Sequence, residues 1–292
     1  MSRLPPDLRI PPARAEELRA LLVARPEETL FHLAVLDERG VQAGPGEGAF
    51  GFYGWPDVGA LRACVFVGGS WFASAFAPDP RDAAELGFRV RDTLRLRRAV
   101  GERGATDAFW SAWGDGLVQT VLSHEQQLMV VRAGEVAALA LPGLRPAVAS
   151  EEGAVHTAAA EMQLEELGVD PRVEEPSMFR AQVSERLRAG RTWVLVERDE
   201  IVFKAEIALK SRLGAQIGGV WVPPRFRGRG LATRGVSDLS RRLLEQVPTV
   251  SLHVHEKNVP AVRAYRKAGF HDLLPFRLLR GVPLAARAGA AG

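Results

Sequence analysis

The stretch "GVWVPPRFRGRGLATRG", Gly219 to Gly235, restricts the fold more than any other part of this chain. An apolar run of strand-forming residues stops at Pro223 and Pro224. Four arginines and three glycines follow within eleven residues, and then Leu231, Gly235, Leu239 and Leu243 recur at spacings of four. A strand must therefore turn into an amphipathic helix across a basic, glycine-rich corner. Backbone N–H groups in the first turn of a helix have no intrahelical acceptor, and the peptide dipoles add partial positive charge there. Such a terminus binds anions when side chains do not keep the ligand away. Gly228 and Gly230 permit the positive φ values that curl several N–H groups toward one point. Arg225, Arg227, Arg229 and Arg234 add charge-assisted donors, and the two prolines stop β-pairing so that the strand end can splay. The corner reads as a pyrophosphate site rather than as a solubilising surface loop. A Walker-type loop is excluded because no G-K-[ST] follows, and Thr233 stands where a G-x-G-x-x-G fingerprint needs glycine.

The elements around the corner alternate. "GLRPAV" reads as a short strand, "SEEGAVHTAAAEMQLEELG" as a helix closed by Gly168, and "EEPSMFRAQVSERLRAG" as a helix between Pro176 and Gly190. "RTWVLVERDEIVFKAEIALK" predicts a hairpin turning at Arg198 and Asp199, and "LGAQIGGVWV" a third strand of the meander. Past the corner come the strand "TVSLHVHE", a short helix in "NVPAVRAYRKAGF" with Asn258 as N-cap, and a last strand "FRLLRG". The first half repeats this order. Two helices lead to strands at "AFGFYG", "ALRACVFVGG" and "SWFASAFA", then a helix at "DPRDAAELGFRVRDTL", a strand at "RRAVGE" and a helix at "TDAFWSAWGDG". Its strand-to-helix corner, "FAPDPRDAAELG", has no arginine–glycine cluster. Two copies of one fold are expected, joined near "LPGLRP" as domains 1–140 and 141–292, with a working anion site in the second alone.

The length of 292 residues suits two domains, and 47% apolar with 25% charged residues is ordinary for a water-soluble globular chain. The N-terminal residues lack a signal-peptide core and no run approaches the length of a membrane span, so a cytoplasmic protein with no membrane partner is expected. Cys64, the single cysteine, is read as a core residue, and six scattered histidines show no ligand spacing, so no metal is indicated. The net charge of +3 is unevenly spread: Arg225–Arg287 holds 13 Lys and Arg against 4 Asp and Glu, or +9, leaving −6 elsewhere. The C-terminal third should meet something anionic. Nucleic acid suits this less well than a phosphorylated small molecule, because the arginines are not interleaved with exposed aromatics along a groove.

"RFRGRGLA" resembles the R/Q-x-x-G-x-G/A loop of the GCN5-related N-acetyltransferases (GNAT), and "LHVHEKNVPAVRAYRKAGF" resembles their downstream block of strand, Asn, short helix, Tyr and Gly-Phe. The match covers roughly residues 143–281. Through "FKAEI", "GVWVPP" and "EELGVDP", the whole chain further resembles two-domain bacterial members with an N-terminal domain of undefined function. The resemblance implies an α/β (α+β) fold of two tandem GNAT-like domains, a degenerate one followed by a catalytic one. Each would be a mixed, mostly antiparallel twisted sheet flanked by helices. It implies an N-acetyltransferase that moves an acetyl group from acetyl-CoA, a co-substrate, to a primary amine within a ternary complex. The acceptor would be a small molecule, a peptide N-terminus or a lysine, and the protein a monomer or homodimer. A non-catalytic acyl-CoA sensor is the alternative.

Carried over residue by residue, Arg225, Arg227, Gly228, Arg229 and Gly230 would hold the pyrophosphate, with Leu231 and Ala232 opening the helix beneath it. Val220, Trp221 and Val222 would pair with pantetheine and offer a backbone N–H to the thioester oxyanion. Asn258 occupies a CoA-contacting position and also suits simple N-capping. Tyr265 matches the Tyr that protonates the departing thiolate, or is a core residue on the sheet. The base is open between two residues. His253, on one face of its strand with Ser251 and His255, is a base or a structural histidine. Glu206 shares a strand face with Lys204 and is a base, a substrate anchor or simply the partner of Lys204. Glu165 and Glu166 are possible substrate contacts.

Overall fold

The computed structural model describes residues 8–41 and 50–284. Ala49, the first residue of the expected "AFGFYG" strand, lies outside them. Among the described residues, alternation of apolar residues and turn signals yields twenty α-helices and β-strands in chain order: α1 (Ala15–Val23), α2 (Leu30–Arg39), β1 (Gly51–Trp55), β2 (Ala63–Gly68), β3 (Phe72–Phe76), α3 (Pro80–Val90), β4 (Arg98–Glu102), α4 (Arg103–Gly114) and β5 (Val118–Arg132) come first. Then follow β6 (Arg145–Pro146), α5 (Glu152–Leu167), α6 (Pro171–Glu174), α7 (Pro176–Arg188), β7 (Thr192–Glu197), β8 (Glu200–Ser211), β9 (Gly214–Trp221), α8 (Leu231–Leu244), β10 (Thr249–His255), α9 (Val259–Lys267) and β11 (His271–Pro283). No described helix is long and apolar enough to cross a membrane.

The chain divides into two units, residues 1–128 with 274–292, and residues 129–273. This departs from the division at 140/141 expected from the sequence. The reason is pairing: Phe276–Arg280 of β11 run antiparallel to Arg98–Glu102 of β4, so the last strand completes the first unit. In that unit β1, β2 and β3 form an antiparallel meander, and β4 adds in parallel to β3. Its core is built from Val65, Ala75, Leu86, Phe109, Trp113 and Leu279. The 15-residue β5 is a strand that the sequence pattern did not reveal.

In the second unit β6, β7, β8 and β9 are successively antiparallel. The β7–β8 turn falls at Arg198 and Asp199, both at positive φ, as the polar turn predicted. β10 joins β9 in parallel at Val250↔Ala215 and Ser251↔Gln216, and among the described residues their ladder goes no further. Past Gln216 the two strands are therefore free to diverge. Leu231, Gly235, Leu239 and Leu243 of α8 are all buried, as their spacing requires, against a core that includes Phe203, Ile217, Val250 and Leu252.

Candidate active site

β9 enters the site through a bulge. Lys204 stands opposite Trp221 and Glu206 opposite Gly218, so β9 takes three steps where β8 takes two. Gly219 lies at φ 56°, and a Cβ there would come 2.9 Å from Glu206 Cδ and 3.1 Å from Lys204 Nζ. Both conformation and space demand glycine. Behind it, the wholly buried Lys204 donates from Nζ to Glu206 Oε1 at 2.6 Å and to the Gly219 carbonyl at 3.2 Å. Arg186 of α7 reaches Glu206 Oε2 at 3.1 Å. Burial works to raise the Glu206 carboxyl, but the Lys204 and Arg186 charges outweigh it and leave the group below the ordinary Glu value. Of the three roles open to Glu206 in the sequence, the structure shows the pairing with Lys204.

The bulged strand forms one wall of a cleft of about 490 Å³. Val220, Trp221 and Val222 line it, with Arg227, Gly228, Gly230 and the start of α8 at the loop, Asn258 at the cap of α9 and Tyr265 within that helix, and Glu165 and Glu166 from α5. Gly228 and Gly230 lie at φ 77° and 73°, and nothing stands within 4 Å of a Cβ built on either. Their glycine character is thus a matter of backbone conformation rather than of space. Gly230 caps α8 with no side-chain hydrogen bond, and the first intrahelical bond runs from Arg234 N to Gly230 O at 3.0 Å. The N–H groups of Leu231, Ala232 and Thr233 precede it, which is the arrangement that accepts an anion.

Among the four corner arginines, Arg227 lines the cleft. Its Nε donates to the Val222 carbonyl at 3.0 Å, its two terminal nitrogens grip Glu165 at 2.9 and 2.8 Å, and its guanidinium lies 4.9 Å from the Trp221 ring centre. Arg225 pairs with Glu200, Arg229 stacks on Phe226 at 5.2 Å, and Arg234 donates to the Ala140 carbonyl at 2.9 Å.

From α9, Asn258 caps its helix by accepting from Ala261 N at 3.2 Å while also lining the cleft. Tyr265 is 7% exposed, and burial followed by the charge of Glu166 pushes its phenol above the usual Tyr value. It stays protonated at neutral pH. Glu166 is raised by desolvation and by Glu165, with Lys204 opposing. His253 is not among the cleft residues; its Nδ1 accepts from Gln216 Nε2 at 3.1 Å, and burial pulls its imidazole down to about 4. Phe226, Arg263 and Lys267 line the cleft without having been singled out in the sequence. Arg263 and Lys267 lie four apart on α9, the spacing that puts two cations on one helix face.

Residues 157–270 match the family model described as "Acetyltransferase (GNAT) family". This segment is a GNAT acetyltransferase domain. Its span runs from within α5 to Phe270, past the end of α9, and so takes in the bulge, the loop, the part of α5 that carries Glu165 and Glu166, and both α8 and α9. The fold of the whole chain is similar to that of a Drosophila protein (16% identity, TM-score 0.68, 94% of this chain and 98% of that one). It is also similar to a GCN5-related N-acetyltransferase from Sphaerobacter thermophilus (18%, 0.61, 94% of each). It is similar as well to a tandem GNAT protein from the clavulanic acid biosynthesis pathway (15%, 0.51, 94% and 96%). No curated protein matches the sequence. The fold is accordingly two tandem GNAT-like domains.

Proposed function

We propose that the GNAT domain is an acetyl-CoA-dependent N-acetyltransferase acting on a primary amine. The observation that carries the reading is the uncapped start of α8, entered through two left-handed glycines and open to a cleft whose wall is the bulged end of β9. The N–H groups of residues 231–233 and the Arg227 guanidinium suit the pyrophosphate. Arg263 and Lys267 extend the positive lining toward the rest of the nucleotide. The edge of Val220–Val222 turned away from β8, which pairs with no strand among the described residues, suits the amides of pantetheine, and an N–H of the same segment suits the oxyanion that forms when the amine attacks. Tyr265, held protonated, gives its proton to the departing thiolate. Holding both substrates in one cleft makes the transfer effectively intramolecular.

Thermal unfolding with acetyl-CoA and with duplex DNA or RNA tests the donor. Acetyl-CoA at a hundred times its Kd should stabilise the GNAT domain by about 2.7 kcal/mol, with no effect from nucleic acid. Tyr265→Phe should keep that stabilisation while lowering kcat by about 100-fold or more, the usual contribution of a general acid. Stabilisation by nucleic acid alone overturns the reading. Binding of acetyl-CoA with no acetylation of any amine in a broad panel would leave an acyl-CoA sensor instead.

A further inference from the structure

We propose that Glu166 is the residue that takes the proton from the acceptor ammonium; this rests on the N-acetyltransferase reading and assigns that reaction its base. Four side chains near the reaction could accept a proton, and three are committed elsewhere. Both Glu165 oxygens are held by Arg227. Glu206 is 7% exposed, does not line the cleft, and is shared between Lys204 and Arg186. His253 does not line the cleft either, and its Nδ1 lone pair faces Gln216. Glu166 keeps one side open to solvent while the rest of it lines the same cleft as Tyr265 and Val220–Val222, and it makes no hydrogen bond or ion pair among the described residues. Its carboxylate is the uncommitted one.

Its surroundings suit the role. The charged and titratable groups acting on it are Glu165 from its own helix, Lys204 from β8 and the Tyr265 phenol from α9. Desolvation in the cleft, with Glu165, holds the carboxyl above the ordinary Glu value while Lys204 restrains it. A carboxylate whose affinity for a proton is raised is the stronger base. An ammonium entering the cleft would find there the negative group not already neutralised.

The step balances. The ammonium N–H bond breaks and its proton goes to a Glu166 oxygen, leaving the nitrogen lone pair free. That pair attacks the thioester carbonyl carbon; the C–N bond forms and the C–S bond breaks, with the electron pair leaving on sulfur. The thiolate takes the Tyr265 phenol proton, and the phenolate recovers one from the newly acylated nitrogen. Glu166 then releases its proton to water, so that ammonium and acetyl-CoA give amide, CoA thiol and one proton.

The test compares wild type, Glu166→Gln and Glu166→Asp on two kinds of acceptor. One is a panel of ammonium acceptors: a short peptide with a free N-terminus, spermidine and tyramine. The other is hydroxylamine, which is uncharged at neutral pH and has no such proton to lose. Glu166→Gln should lower kcat for the ammonium acceptors by about 100-fold or more and abolish the acidic limb of the kcat/KM pH profile. It should leave acetyl-CoA affinity within about twofold and hydroxylamine turnover within about tenfold, while Glu166→Asp recovers part of the ammonium activity. Unchanged ammonium turnover with the acidic limb intact would overturn the assignment and leave the N-acetyltransferase reading standing. An equal loss on both kinds of acceptor would also overturn it, since Glu166 would then serve something other than deprotonation. Wild type that binds acetyl-CoA and acetylates no acceptor would overturn both.

Discussion

His32 sits in the first unit at 3% exposure, and its Nε2 faces the Ser74 carbonyl at 3.0 Å. A carbonyl can only accept, so Nε2 carries the proton and the ring is the neutral tautomer. Nδ1 is buried with no hydrogen-bond partner among the described residues, and protonating it would place an unpaired charge beside Phe52 and Phe76. Burial accordingly pulls the imidazole down to about 4, with the Ser74 bond opposing. Glu206 shows the opposite balance, because the charges of Lys204 and Arg186 override burial there. The sign for His32 follows from linkage. Between its unfolded value near 6.5 and its folded value near 4, the unfolded chain binds a proton that the folded chain refuses. This residue's contribution to stability is therefore intact above about pH 6.5, falls as the pH drops toward 4, and changes no further below that. The loss should total about 3 kcal/mol. Denaturant unfolding of wild type and His32→Gln between pH 7.5 and 4 checks it. The variant starts less stable, and its stability should fall less steeply with acid. Parallel curves would show that some other group carries the acid sensitivity.

The close seat of α8 on β8 is what brings the helix start to the cleft. A Cβ at Gly235 would lie 2.4 to 2.6 Å from three atoms of the Phe203 ring, so the helix rests directly on that side chain. Gly235→Ala should cost about 1–3 kcal/mol, since the added methyl must push α8 or Phe203 aside. Because α8 carries the N–H groups proposed for the pyrophosphate, the same variant should weaken acetyl-CoA binding more than its remote position suggests. Denaturant unfolding and calorimetric titration would show it; an unchanged affinity would mean that the loop holds its shape independently of the helix seat. Much of this element was legible. The four-residue stripe, the glycines and the prolines fix the type, face and start of α8 through local rules. The bulge in β9 was less so: Gly218 and Gly219 hint at it, but which residue takes positive φ depends on Lys204 and Glu206 across the ladder. β5 escaped because its sequence, "VQTVLSHEQQLMVVR", carries Gln, Glu, Ser and His through its middle, and only Leu128–Val131 are fully buried. A polar, half-exposed strand has little hydrophobic alternation to read.

The two units differ at their strand-to-helix corners, and the difference is chemical. Where α8 begins with an uncapped glycine, α3 begins at Asp79, whose carboxylate accepts from Arg81 N at 2.9 Å and also binds the Arg81 guanidinium at 2.7 Å. The helix terminus that could receive an anion is already occupied by one. Local sequence shows that contrast; it does not show which unit owns the C-terminal strand. "FRLLRG" reads as a strand, but its partner lies far back along the chain, and pairings across such separations leave no periodic trace. In the structure Phe276–Arg280 pair with β4, Leu279 enters the core of the first unit, Arg277 binds both Asp107 oxygens at 3.0 Å, and Gly281 N donates to the Arg97 carbonyl at 2.9 Å. Removing the chain from Leu274 onward should therefore damage the N-terminal unit although the deletion adjoins the GNAT domain in sequence. β4 would lose a ladder of five residue pairs and be left with an open edge. Hydrogen exchange of full-length and truncated protein would locate the damage. Amides of residues 98–102 should lose protection, and so should the α4 segment that holds Asp107, whereas the β7–β8 hairpin at 192–211 should keep its own. Protection lost first in that hairpin would place the last strand with the second unit instead.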